Sequence, residues 1–91
     1  MPQYRPCSEV VSTEIDEDES VLLSLKTLQY YSVNETGKRI WELLSSGHDS
    51  EAIAATITEE WAISQTDALK RVNSFLEELH EEGLVDVVEE D

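Results

Sequence analysis

The apolar pattern changes period once, at Asn34, and that change constrains the fold more than any other feature of the chain. Before it, Val11, Thr13 and Ile15 alternate with Ser12 and Glu14, and Val21, Leu23 and Leu25 alternate with Leu22, Ser24 and Lys26. A two-residue period is that of half-buried strands. Asp16-Glu17-Asp18-Glu19 makes a polar turn between these two runs. A shorter connection at Lys26-Thr27 leads to Leu28-Gln29-Tyr30-Tyr31-Ser32-Val33, whose aromatic and β-branched residues suit a pleated surface. The three runs predict a three-stranded antiparallel meander.

From Asn34 onward the spacing is helical. Asn34 is a good N-cap, and Ile40, Trp41, Leu43 and Leu44 lead to a stop at Ser45-Ser46-Gly47. Asp49 caps a second helix, in which Ile53, Ile57 and Trp61 fall at four-residue steps and Ala54 and Ala55 allow close packing. Ser64 with Asp67 three residues later resembles a capping box, and Ala68, Leu69, Val72, Phe75, Leu76 and Leu79 then form a broad apolar stripe. Gly83 sits where a left-handed helix stop belongs, followed by Leu84, Val85, Val87 and Val88 as a short extended segment. Strands first and helices second, with short connections, predict an α+β domain in the manner of a degenerate winged helix-turn-helix. Residues 1–8 hold both prolines and no periodicity and read as a flexible N-terminal tail. Residues 9–85 read as the domain, and 86–91 as an acidic C-terminal tail.

A winged helix-turn-helix often reads DNA, and here composition argues against it. Six Lys or Arg against twenty-one Asp or Glu give a net charge of −15, which repels phosphates. The third helix offers only Lys70 and Arg71, while Glu77, Glu78, Glu81 and Glu82 crowd its end. With 91 residues, 40% of them apolar, the chain can build one modest core. It holds no apolar run of the roughly 20 residues that span a bilayer and no secretory signal, so a cytoplasmic protein without a membrane partner is expected. Cys7 is the one cysteine, an incidental thiol that cannot form an internal disulfide.

Catalytic signatures are weak. His48 and His80 have no second ligand at fixed helical spacing, and both read as surface histidines instead of metal ligands. Asp16-Glu17-Asp18-Glu19-Ser20 begins like a calcium loop, but Val21 occupies the position of the turn glycine and Thr27 that of the bidentate glutamate. No nucleophile elbow and no phosphate-cradling glycine loop occur, and carboxylate pairs are too numerous to single one out. Neither an enzyme nor a bound cofactor is expected.

Recognition by a sheet edge is the stronger expectation. The third predicted strand, Leu28–Val33, has few charges and no proline to discourage addition of another strand. A peptide pairing with it would gain main-chain hydrogen bonds, while a groove beside the third helix would select its side chains. Tyr30 or Tyr31 is expected to line that groove from the strand, with Val72, Phe75 and Leu76 facing from the helix. Val33, Leu69 and Leu79 are expected to fill the core, whereas Tyr30 and Arg71 suit a groove rim.

Tyr30-Tyr31-Ser32-Val33-Asn34-Glu35-Thr36-Gly37 followed by Ile40-Trp41-Glu42-Leu43-Leu44 resembles the PqqD-like family. The likeness continues through Asp49-Ser50-Glu51-Ala52-Ile53 and through Val72, Phe75-Leu76, Leu79 and Gly83-Leu84, and runs from about Val11 to Val85. Val33 departs from the commoner leucine. The resemblance implies a leader-peptide recognition domain for ribosomally made, modified peptides. Such a domain binds the leader as an extra antiparallel strand on the third strand, against the third helix, and presents it to a leader peptidase or other maturation enzyme. The stand-alone leader-binding proteins of lasso-peptide biosynthesis are the most similar members; PqqD itself, which serves a radical enzyme, is the alternative. Carried over by position, Leu28, Tyr30, Tyr31, Ser32 and Val33 would accept the strand, with Asp67, Arg71, Val72, Phe75 and Leu76 from the helix. Asp67 and Arg71, one turn apart, would pair with each other or select a charged leader side chain. A DNA-binding regulator is the reading from another class, and an edge-strand homodimer would cover the same surface.

Overall fold

All three helices begin at the residue the sequence offers as a cap. In the computed structural model, which describes residues 3–88, α1 spans Glu35–Ser45, α2 Ser50–Trp61 and α3 Gln65–Glu81. The Asn34 side chain accepts from the Gly37 N–H at 2.9 Å, Asp49 from Ala52 at 2.8 Å and Ser64 from Asp67 at 3.2 Å. Each cap satisfies a backbone donor that the first turn leaves free, for about 1 kcal/mol. Ile53, Ala54 and Ile57 of α2 join Ala68, Val72, Leu76 and Leu79 of α3 in one buried cluster. The alanines let the two helices approach closely.

The end of α2 carries a local strain. Ala62 follows it with φ 53° and ψ 41°, the left-handed conformation that glycine adopts without a Cβ penalty of about 1–2 kcal/mol. Ala62 is exposed, so nothing else depends on its methyl group. Ala62→Gly is therefore expected to stabilise the domain by about 1 kcal/mol, raising the unfolding midpoint by roughly 4–8 °C in a thermal melt.

The meander is present as β2 (Val10–Glu14), β3 (Ser20–Ser24) and β4 (Tyr30–Val33), in the antiparallel order β2-β3-β4. The alternation of β3, which left its inner face open, is resolved by burial. Ser20, Leu22 and Ser24 are buried toward the helices, while Val21 and Leu23 take the other face and Leu25 beyond them is 53% exposed. Leu22, with no exposed surface, joins Val33, Ile40 and Trp41 in the core. Leucines stand on both faces of β3, so alternation alone does not say which is inside. The serines beside Leu22 leave room for the helices, and the Ser20 hydroxyl is satisfied by donating to the Thr13 carbonyl at 3.0 Å.

The expected N-terminal tail is corrected from Gln3 onward, residues 1–2 lying outside the described residues. Gln3–Pro6 form β1, paired antiparallel with β5 (Val85–Val88) from Gln3↔Val88 to Pro6↔Val85. Val85, Val87 and Val88 are extended as expected, so Asp86–Val88 belong to that ribbon and not to an acidic tail. Four residues with a terminal proline offer no period to read, and a two-stranded ribbon tolerates proline because its outer side needs no donors. Tyr4 packs on the core and lies 5.9 Å from the His80 ring, centroid to centroid. Cys7 is held by its N–H to the Leu84 carbonyl at 3.1 Å, and partial burial with Asp86 nearby pushes its thiol pKa up. Residues 89–91 of the expected tail lie outside the described residues.

Candidate functional site: the open edge of the sheet and the helix beside it

β4 is an edge strand, and its hydrogen-bond phase can be read from the turn that precedes it. The Ser24 N–H donates to the carbonyl of its partner Gln29 at 2.9 Å, so Ser24 and Gln29 form a hydrogen-bonded pair. Pairs of that kind recur every second residue, at Leu22↔Tyr31 and Ser20↔Val33. The backbone groups of Tyr31 and Val33 are thus used by β3, and those of Tyr30 and Ser32 point out of the sheet. An incoming strand would find two N–H and two C=O groups there. The pleat places the side chains of Tyr31 and Val33 on the helix side and those of Tyr30 and Ser32 on the outer side.

α3 runs beside this edge in the opposite direction. Near Val33 stands Phe75, both packed against Gly37: a Cβ added to Gly37 of α1 would meet Val33 Cβ at 3.0 Å and Phe75 Cζ at 3.1 Å. The glycine thus lets α1, β4 and the phenyl ring converge. Near Tyr31 the neighbours are Glu78 and Glu82. Burial and those two carboxylates, Glu78 foremost, push the Tyr31 hydroxyl pKa upward. A shallow dent at this end is lined by Gln29, Tyr30, Tyr31, Glu82 and Leu84 among others. Asp67, Arg71, Phe75, Glu78 and Glu82 lie within about 80° of one another around a 3.6-residue helix, a stripe adjoining the buried one.

The expected site residues separate into groups. Tyr31 and Phe75 are half-buried on the helix side of the β4 edge, with Ser32 exposed at the edge and Asp67 and Arg71 exposed toward the start of α3. Tyr30 is 75% exposed and, by the pleat, stands on the outer face beside Leu23, so it offers the groove its backbone and not its ring. Leu28 is corrected in its placement: it lies in the turn before β4 and not in the strand, at φ 61°, exposed, with its N–H donating to the Ser24 carbonyl. Val72 and Leu76 are corrected as well. Both are enclosed in the core, as is Leu79, which was expected there; Val33, carried over as a strand-accepting residue, is also core, with its backbone paired to Ser20. Leu69 is partly buried against that core. Asp67 and Arg71 do not pair; the ion pairs among the described residues are Lys38–Glu14, Arg39–Glu42 and Arg39–Glu60. Glu78 and Glu82 were not anticipated as groove residues. Their spacing from Phe75, three and seven residues, was the available signal.

The histidines have other surroundings: His48 Nδ1 lies 3.0 Å from the Leu43 carbonyl oxygen, and His80 meets Tyr4. No group of three or more His, Cys, Asp or Glu among the described residues is placed to hold a metal ion. No helix among them is long and apolar enough to cross a membrane.

Comparison with protein families matches residues 19–85 to coenzyme PQQ synthesis protein D, PqqD. The chain belongs to the PqqD family. Curated proteins yield no match. Among solved structures, TbiB1 in complex with the TbiA(beta) leader peptide is similar to this chain at 32% identity and a TM-score of 0.86, covering 94% of this chain and 99% of that one. Lasso peptide synthetase B1 complexed with the leader peptide is similar at 26% identity and a TM-score of 0.82, with 91% and 96% covered. The PqqD fold, an α+β degenerate winged helix, therefore extends over nearly the full length of both structures.

Proposed function

We propose that this PqqD-family protein is a non-catalytic adaptor of ribosomal peptide biosynthesis, acting in the cytoplasm. It binds the leader of a precursor as an antiparallel strand on β4 and hands it to a maturation enzyme. The observation that carries this reading is the open edge at Tyr30 and Ser32 with the Phe75 side of α3 alongside: the edge supplies sequence-independent hydrogen bonds and the groove supplies selection. Both similar structures hold leader peptides and one of them is a lasso peptide synthetase B1, which favours a lasso precursor and a leader peptidase as the enzyme. A PqqD-type role beside a radical enzyme is the alternative within the family.

Support for a second protein partner comes from the outer face of the sheet. Val11, Leu23 and Tyr30 form one cross-strand row there, with Val21 in the next, uncovered by any helix. An apolar surface of that kind suits a protein contact, and a leader strand on β4 would extend it. Two copies pairing through β4 would bury the groups the leader needs, and their like charges of −15 oppose that pairing.

Phe75→Ala tests the reading. It is expected to weaken binding of the cognate synthetic leader about tenfold while the far-ultraviolet circular dichroism keeps its helical signal. Unchanged affinity would refute the groove. Duplex DNA at low salt is expected not to bind, and saturable binding there would favour a regulator.

A further inference from the structure

We infer that the groove selects a leader carrying a cationic side chain opposite Tyr31, two residues C-terminal to an apolar side chain seated on Phe75. This rests on the strand-addition reading and adds the chemistry of the ligand to it. Along β4 from Tyr31 to Val33, α3 passes from Glu82 and Glu78 to Phe75, so the two ends of the groove differ in character. An antiparallel peptide enters with its N-terminal side at Val33 and Phe75 and leaves past Tyr31. Its groove-facing side chains are those opposite Val33 and Tyr31, two residues and about 6.8 Å apart. From Phe75 to the midpoint of Glu78 and Glu82 the helix rises by a similar distance, at about 1.5 Å per residue. One peptide side chain therefore meets the phenyl ring and the next groove-facing one meets the two carboxylates.

Those carboxylates are available. Neither Glu78 nor Glu82 has an ion-pair partner among the described residues, and Glu77 and Glu81 lie farther from the buried stripe, toward the opposite side of the helix. At the other end of the stripe Asp67 and Arg71 carry opposite charges, so the groove's net field is concentrated beside Tyr31. The Tyr31 ring gives a flat wall for the stem of a lysine or arginine, whose head then reaches both acids. An acidic leader residue at that position would face two like charges in a partly desolvated corner.

The test is selection from a displayed library of short random peptides on the purified full chain, followed by titration of the enriched peptides. The expected result is an apolar-x-Lys/Arg pattern, with replacement of the cation by glutamate weakening binding about tenfold. The double variant Glu78→Lys/Glu82→Lys is expected to reverse that preference. Asp18→Lys/Glu19→Lys, which changes the net charge equally at the distant hairpin, is expected to leave it in place. If both double variants shift the preference alike, only the global charge acts and the local inference is wrong. If binding peptides show no charge preference at that position, the inference fails while leader binding stands. If no peptide is enriched, strand addition itself fails.

Discussion

Ser32→Pro is expected to leave the fold intact and to weaken leader binding at least about tenfold. The Ser32 N–H points out of the sheet, so its loss removes no bond to β3, whose ladder uses Tyr31 and Val33. Proline is tolerated on an edge for this reason, and Tyr31 before it already has the extended backbone that proline requires. The incoming strand loses a donor it cannot replace and meets a ring where it must approach. Ser32→Thr keeps the N–H and should bind like the parent, which separates the backbone effect from loss of the hydroxyl. Isothermal titration with the cognate leader, beside a thermal melt of each variant, reads both properties. Full affinity in a folded proline variant would place the leader elsewhere.

Leu22→Ala is expected to cost about 2–5 kcal/mol, since Leu22 has no exposed surface and joins the sheet to the helices. In a domain of this size that lowers the unfolding midpoint by roughly 10–30 °C. Leu23→Ala, one residue along and on the outer face, is expected to cost less than about 1 kcal/mol. The two variants remove identical atoms, so their difference measures the register of β3 and nothing about composition. Equal losses by differential scanning calorimetry would mean that the two faces are assigned wrongly.

That pair of leucines also marks where the sequence stops being legible. The helices were readable because each combines a cap, a 3.6-residue stripe and a stop, and Asn34, Asp49 and Ser64 all cap as anticipated. The meander was readable from its two-residue period and acidic turn. Its inside face was not, because the choice between Leu22 and Leu23 is made by how Val33, Ile40 and Trp41 pack from elsewhere in the chain. β1 was illegible for a related reason: it exists through β5, some eighty residues away, and has no amphipathic pattern of its own.

The candidate site divides in the same way. The edge and Phe75 followed from the absence of charge and from helical spacing. Leu28 did not stay in the strand, because the turn puts it in a left-handed conformation to close the Ser24–Gln29 pair. Val72 and Leu76 shared the stripe of Phe75 in sequence, yet they stand about 60° and 100° from it around α3, which separates core side chains from a half-buried one. The partnership of Glu78 and Glu82 with Tyr31 depends on α3 running opposite to β4, which no local pattern encodes.

The most direct test is residue-resolved amide exchange on the protein, free and saturated with its cognate leader. In the free protein the amides of Tyr31 and Val33 should be protected by β3 and those of Tyr30 and Ser32 should exchange rapidly. Leader binding is expected to protect Tyr30 and Ser32 selectively, the alternation that a strand added to β4 must produce. Saturation by the leader with Tyr30 and Ser32 still exchanging freely would contradict strand addition at this edge.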